Sequence, residues 1–247
     1  MVARHSGKSR PRRRATFSGV IGELLLTAGV IVAGFVGWQY FLSDAMFGAQ
    51  QQEAASVFAA SITATDTVSE SELRTDAPPA ETAAAMHESY AVMYIPRFGD
   101  FQRIIGEGTE RLVLDNPEQG IGHYPDSALP GEEGNMAVAA HRSGAGAPFN
   151  ALPQLQVGDR IYIQTSEAWY VYEFRNNQYV PPTQVSVIAP VPDMPHVHAD
   201  GAYLTLTTCN PEWSADGRLI SFAVLQGWIP SGEGMPAELA EHLAGIA

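Results

Sequence analysis

The residues best suited to chemistry in this chain are one cysteine and an arginine nine positions after it. Cys209 closes the run Thr205-Leu206-Thr207-Thr208-Cys209 and is the only cysteine among 247 residues. A thiolate is a strong nucleophile. A guanidinium beside it, here from Arg218, favours the ionised sulfur, or the oxyanion formed when that sulfur attacks a carbonyl. Taken alone, a cysteine at a strand end is more often a small buried hydrophobe, and an arginine opening a strand is more often a solvated charge.

A reactive thiol needs a base. Of the seven histidines, His5 precedes a long apolar run, His87 falls in a polar stretch and His242 in the tail. His123, His141, His196 and His198 remain. His141 ends a predicted buried strand, as Cys209 does, and the open loop Arg142-Ser143-Gly144-Ala145-Gly146 follows it. His196-x-His198 has a spacing that metals use, but no matching carboxylate or cysteine cluster accompanies it. Nothing in the chain calls for a metal or an organic cofactor.

These side chains must be positioned by strands. Ala202 to Thr208 alternates, with Leu204 and Leu206 on one side and Tyr203, Thr205 and Thr207 on the other, which predicts a β-strand. Asn210-Pro211 breaks it, Asp216-Gly217 marks a turn, and Leu219 to Leu225 alternates again. The thiol then sits where one strand of a hairpin ends and the guanidinium where the next begins. Further strands are predicted at 91–96, 103–108, 120–125, 135–140, 160–164, 169–179 and 185–189. A helical turn is predicted at 109–114, a short helix at 147–155 with Pro148 in its first turn, and a loop at 190–200. Many short strands with few helices predict an all-β barrel or sandwich. Leu239, Leu243 and Ile246 have helical spacing and predict a tail helix over 231–247 that caps the surface.

The net charge of −13 is unevenly distributed: residues 1–14 hold six of the 14 basic residues and no acid. The rest of the chain is strongly acidic, which argues against nucleic-acid binding. Val20 to Leu42 is 23 residues long and almost wholly apolar, more than the roughly 20 needed to span a bilayer and too long for a cleaved signal peptide. The basic cluster before it, residues 1–19, predicts a cytoplasmic N-terminus. Trp38, Tyr40 and Phe41 would form an outer aromatic belt, and the body of the chain would be extracytoplasmic. Residues 43–89 are rich in Ala, Ser, Thr, Glu and Gln and read as a flexible spacer that buries no core. The folded domain is expected over 90–230. In an oxidising compartment a single unpaired thiol is either buried and inert or kept for its reactivity.

Four sequence blocks now bear on that choice. Gly134-Asn135-Met136-Ala137-Val138-Ala139-Ala140-His141-Arg142, Ala147-Pro148-Phe149-Asn150, Thr205-Leu206-Thr207-Thr208-Cys209 and Arg218 together resemble the signature blocks of sortases. These are membrane-anchored cysteine transpeptidases of Gram-positive cell surfaces. The resemblance covers about residues 90–230 and is nearest to class E sortases of actinobacteria, through the His-Arg…Gly-Ala-Pro-Phe pattern. It implies an eight-stranded β-barrel. It also implies Cys209 as nucleophile, His141 as general acid or base, and Arg218 as a group that binds the substrate backbone or the oxyanion. Thr207, Thr208, Ala145 and Asn210 are the accompanying substrate-binding candidates. The implied substrates are surface proteins with a C-terminal LPxTG- or LAxTG-type sorting signal, cut between Thr and Gly through a thioacyl intermediate. The acceptor would be an amine of a peptidoglycan precursor or a pilin. The chain departs from class E at Asn210, where a His is frequent, and at Ala145, where a Tyr is linked to the LAxTG preference. Two rival readings share the same residues: a cysteine hydrolase in which water replaces the amine, and a non-catalytic anchored β-domain with a buried Cys209. A papain-type enzyme fits poorly, since that family carries its cysteine on a helix.

Overall fold

The computed structural model describes residues 16–38, 42–63 and 67–246, which fall into two units, 1–42 and 43–247. The basic N-terminal residues, His5, Tyr40 and Phe41 lie outside the described residues. The first unit is helix α1 (Phe17–Gly37). Thr16 caps it by accepting a hydrogen bond from the Gly19 N–H at 3.3 Å, a normal N-cap role for a threonine. No residue of α1 is buried. Its 21 residues, mostly apolar, give a length of about 31 Å at 1.5 Å per residue, matching the hydrocarbon core of a bilayer. The helix starts three residues earlier than the Val20 expected and ends before Leu42.

The second unit opens with helix α2 (Ser43–Ile62), then β1 (Val68–Ser69), β2 (Ser89–Tyr94), β3 (Gln102–Glu107), helix α3 (Arg111–Leu114), β4 (Gly120–His123) and β5 (Gly134–Ala140). It continues through β6 (Arg160–Gln164), β7 (Ala168–Val180), β8 (Ala202–Asn210), β9 (Gly217–Pro230), β10 (Met235–Pro236) and helix α4 (Ala237–Ile246). Eight strands close into a barrel in the order β2-β3-β4-β5-β8-β9-β7-β6, so the expected eight-stranded barrel is found. β5 and β8 are parallel neighbours, although 61 residues separate the end of one from the start of the other. An eight-stranded barrel has an interior just wide enough for side chains to fill. Met93, Ile105, Ile121, Met136, Val138, Ile161, Tyr170, Leu204, Leu206 and Leu219 fill it. The alternation read from Leu204 and Leu206 therefore points into the barrel.

Three expectations are corrected. Residues 43–89 are no free spacer. Gly48, Gln51, Ala55 and Ala59 form a buried stripe along α2, and its two alanines join Val92, Tyr94, Ile104 and Trp169 in a second core on the barrel's outside. Small residues let the helix backbone approach the sheet closely, and that stripe carries almost no hydrophobic signal. The chain after α2 also packs down. β1 pairs with β10, Arg74 bridges Trp228, the Trp228 indole donates to Asp76 O at 3.0 Å, and Glu81 accepts from Thr165 and Tyr170, each at 2.6 Å.

The second correction concerns 147–155, which is a series of turns with a 3-10 turn at Leu152–Gln154. The Phe149 N–H is committed to His141 O, and Asn150 and Gln154 bond three residues back, so no α-helical ladder forms. The third is 185–189, where a 3-10 turn (Val185–Ile188) replaces a strand. The Asn135 side-chain amide of β5 holds the Val187 and Ala189 carbonyls at 3.2 and 2.9 Å, and Thr205 of β8 donates to Val187 O at 3.4 Å, which fixes the segment against β5 and β8.

Candidate active site

β8 and β9 are antiparallel, and Cys209 is the direct cross-strand partner of Arg218. Directly opposed residues of an antiparallel pair project to the same face, so thiol and guanidinium emerge side by side at the end of the hairpin. Cys209 is half-buried and unpaired. Leu204 and Leu206 occupy the interior, so Thr205, Thr207 and Cys209 alternate to the outer face. The Arg218 guanidinium is steadied from below, its Nη1 donating to Ala215 O at 3.0 Å and Gly217 O at 2.8 Å.

On the other flank of β8 lies β5. Ala137 pairs with Thr205 and Ala139 with Thr207. Carrying that register two residues further brings His141 level with Cys209. The two threonine hydroxyls hold the strands together at this point: Thr207 donates to Val138 O at 3.1 Å and Thr208 to Ala140 O at 2.8 Å. Both are buried, so they anchor the strand that presents Cys209, while the surface around the sulfur comes from other residues.

His141 is half-buried, and its Nε2 lies 2.7 Å from Oδ1 of Asp115, just after α3. The Asp115 Oδ2 accepts from Arg111 Nε, also at 2.7 Å. Burial pushes the Asp115 carboxyl up, but the hydrogen bonds and charges of Arg111 and His141 outweigh it and hold the group below the usual carboxylate range. An ionised acceptor requires the proton on Nε2, which leaves Nδ1 as the free nitrogen of the ring.

The loop after His141 is tied down at both ends. At its base the Phe149 N–H donates to His141 O at 3.0 Å, and the Phe149 ring is wholly buried in the barrel core. Asn150 donates to Arg142 O at 3.0 Å and to the Glu212 carboxylate at 2.8 Å. Arg142 donates to Asn210 Oδ1 and to Cys209 O, and Ser143 donates to Glu212 O. The Ala-Pro-Phe-Asn block thus locks the loop onto the barrel and onto the chain beyond Cys209. Between these ties, Gly144, Ala145, Gly146 and Ala147 all have positive φ, from 44° to 81°. For the two alanines that conformation is strained, of the order of 1–3 kcal/mol each, and neighbours must hold it.

The structure therefore brings Cys209, His141 and Arg218 to one rim of the barrel, at the ends of β5 and β8 and the start of β9. Ala145 lies in the loop after β5, and Asn210 is the last residue of β8, paired with Gly217. His123 is elsewhere, fully buried between Glu107 at 2.9 Å and Ser127 at 2.9 Å. His196 and His198 are exposed in the loop before β8. Among the described residues no three His, Cys, Asp or Glu side chains are grouped to hold a metal ion. Sequence reasoning missed Asp115, Arg142 and Gln51. Arg111 and Asp115 four apart was the only local sign of the first.

A closed β-barrel with cysteine, histidine and arginine on one rim defines a cysteine-dependent acyl-transfer enzyme in its architecture. Residues 93–226 match the sortase domain family. Sortase SrtE1 of Streptomyces coelicolor is 30% identical over 248 residues, an alignment covering 96% of this chain and 65% of that relative. The chain thus spans just under two thirds of that relative's length. Among solved structures, the SrtA sortase of Actinomyces oris is 37% identical with a TM-score of 0.63, covering 67% of this chain and 94% of that one. Sortase E1 of S. coelicolor with a tripeptide in its active site is 32% identical with a TM-score of 0.57, covering 64% and 99%. This chain belongs to the sortase family, whose members are cysteine transpeptidases.

Proposed function

We propose that this protein is a membrane-anchored sortase with its N-terminus in the cytoplasm and its barrel outside. It cleaves a C-terminal LPxTG- or LAxTG-type signal between Thr and Gly and passes the acyl group to a cell-wall amine. The observation that carries the reading is the pairing of Cys209 with Arg218 on one side of the sulfur and the β5–β8 register that aligns His141 on the other. α1, long and apolar enough to cross a bilayer, supports the anchoring.

In this reading the Cys209 thiolate attacks the threonine carbonyl carbon, and the carbonyl π electrons move to oxygen. N–H groups of the Arg218 guanidinium receive that oxyanion. His141, its Nε2 held by Asp115 and its Nδ1 carrying the proton taken from the Cys209 thiol, gives that proton to the glycine nitrogen as the C–N bond breaks. A thioester to Cys209 remains. The incoming amine attacks it, His141 takes the amine's proton back, and the C–S bond breaks to restore the thiolate. Splitting one amide exchange into two steps lowers each barrier.

The test is incubation of the full-length protein with sorting-signal peptides carrying Pro or Ala at the second position, with and without an amine acceptor. Cleavage with an amide product in the presence of acceptor, abolished by Cys209→Ala, is expected. A product lacking the amine under saturating acceptor would favour hydrolysis. Cleavage that persists in Cys209→Ala would overturn the reading.

A further inference from the structure

The helix that follows the membrane span contacts the catalytic rim directly. Gln51 of α2 is completely buried, and its Nε2 donates to two carbonyls at 3.1 Å each, those of Asn116 and Ala145. Asn116 is the neighbour of Asp115, which holds the His141 ring. Ala145 lies four residues beyond His141, in the loop of positive φ angles. One carboxamide therefore joins the segment that orients the histidine to the loop that leaves it. One helical turn before Gly48 in α2, the Asp44 carboxylate accepts the Gly144 N–H at 2.9 Å. Asp44, Gly48 and Gln51 fall on one face at helical spacing.

The barrel is shaped to receive that carboxamide. A side chain at Gly120 would bring its Cβ to 2.5 Å from Gln51 Nε2, and one at Gly146 to 2.6 Å from Gln51 Oε1. Both glycines also have positive φ, 94° and 81°, so bare backbone is needed there on two counts. Gly48 in turn lets α2 come close enough that a Cβ would stand 3.4 Å from Gly146 O. These contacts hold Ala145 and Ala147 in a conformation they would not keep alone.

Resting on the reading above, we propose that α2 is a working part of the catalytic centre, with Gln51 and Asp44 as positioning residues for His141. The rate of transfer then depends on a helix that begins six residues after the end of α1 in sequence. Small displacements of a catalytic group are costly to rate and leave ground-state binding of a remote peptide signal largely intact.

The experiment compares full-length wild type, Gln51→Ala, Asp44→Ala and the double variant on a sorting-signal peptide, with thermal unfolding alongside. Expected is a fall in kcat of about 10- to 100-fold for Gln51→Ala and a smaller fall for Asp44→Ala. KM should stay within about twofold, and the double variant should lose less than the product of the two, because both act on one loop. If Gln51→Ala unfolds, Asp44→Ala carries the test, since that side chain is only half-buried. A kcat within about twofold of wild type in the folded variants, or equal losses in kcat and KM, would overturn the inference. Wild-type inactivity on every peptide would instead sink the sortase substrate reading. Iodoacetamide alkylation of Cys209 would then decide the inference without a peptide: rates altered in the two variants support it, and unchanged rates overturn it.

Discussion

The Nε2 of His141 and the Oδ1 of Asp115 lie 2.7 Å apart, although 26 residues separate them in sequence. α3 and the turn after it bring this carboxylate to the histidine. It is held ionised by Arg111 and by the histidine against the opposing effect of burial. Replacing Asp115 by Asn should lower kcat by about 100-fold, the lower end of what a positioned acid or base contributes, with KM within about twofold. A kcat within twofold of wild type in a folded Asp115→Asn protein would remove Asp115 from the machinery. The same variant carries a stability signature. A carboxyl whose folded pKa is depressed adds stability above its unfolded value, near 4, and loses that contribution as pH falls through the lower folded value. The Tm gap between wild type and Asp115→Asn should therefore be present at neutral pH and close below about pH 4.

Arg218 faces Cys209 as its cross-strand partner, and two of its N–H bonds are already spent on Ala215 and Gly217. In the proposed mechanism it offers the substrate the rest of a planar fork. Arg218→Ala should cost about 100- to 1,000-fold in kcat, the range for removal of an oxyanion donor. Arg218→Lys should recover only a small part, because a point charge does not reproduce the fork. Full activity in the lysine variant would mean that charge alone suffices, and the geometric role would fall.

How much of this was legible in the chain depends on distance along it. The Cys209 hairpin was readable because Leu204 and Leu206 alternate with polar residues over a few positions, and alternation is a local signal. Helix α1, long and apolar enough to cross a bilayer, was readable because an unbroken apolar run is also a local signal. The barrel's closure was not, since the parallel pairing of β5 with β8 leaves no local trace; only the resemblance of the motif blocks supplied it. α2 was misread because its packing face is Gly48, Gln51, Ala55 and Ala59, residues whose value lies in being small or in donating to carbonyls far away. Asp115 gave no sign of a site role, because its partner His141 lies 26 residues away in sequence, just after β5.

The Phe149 ring explains why the loop after His141 ends as it does. It is fully buried in the barrel core, and its N–H closes the loop onto His141 O. Phe149→Ala should destabilise the domain by about 3–5 kcal/mol, the usual cost of emptying a phenylalanine site. Phe149→Leu should cost far less and retain most of the activity. Denaturant unfolding of the two variants measures the first effect, and peptide cleavage the second. A Phe149→Ala protein as stable as wild type would mean the ring is dispensable as an anchor.

Glu81 tests whether the chain between α2 and β2 is structural. Its carboxylate accepts hydrogen bonds from Thr165 and Tyr170, yet burial dominates these and holds its pKa above the ordinary value, with Glu167 and Glu132 adding to the rise. A carboxyl raised on folding favours the folded state most below its unfolded value, near 4.3, and gives up that stability as pH climbs through the folded value. Glu81→Gln carries no charge to desolvate and keeps an acceptor for the two hydroxyls. Its Tm relative to wild type should therefore climb as pH is raised from about 4 towards neutrality, and Glu81→Ala, which leaves both hydroxyls without that acceptor, should be less stable than either. A Tm difference between Glu81→Gln and wild type that does not vary with pH would show that Glu81 is solvated and that this part of the chain is not pinned to the barrel at Thr165 and Tyr170.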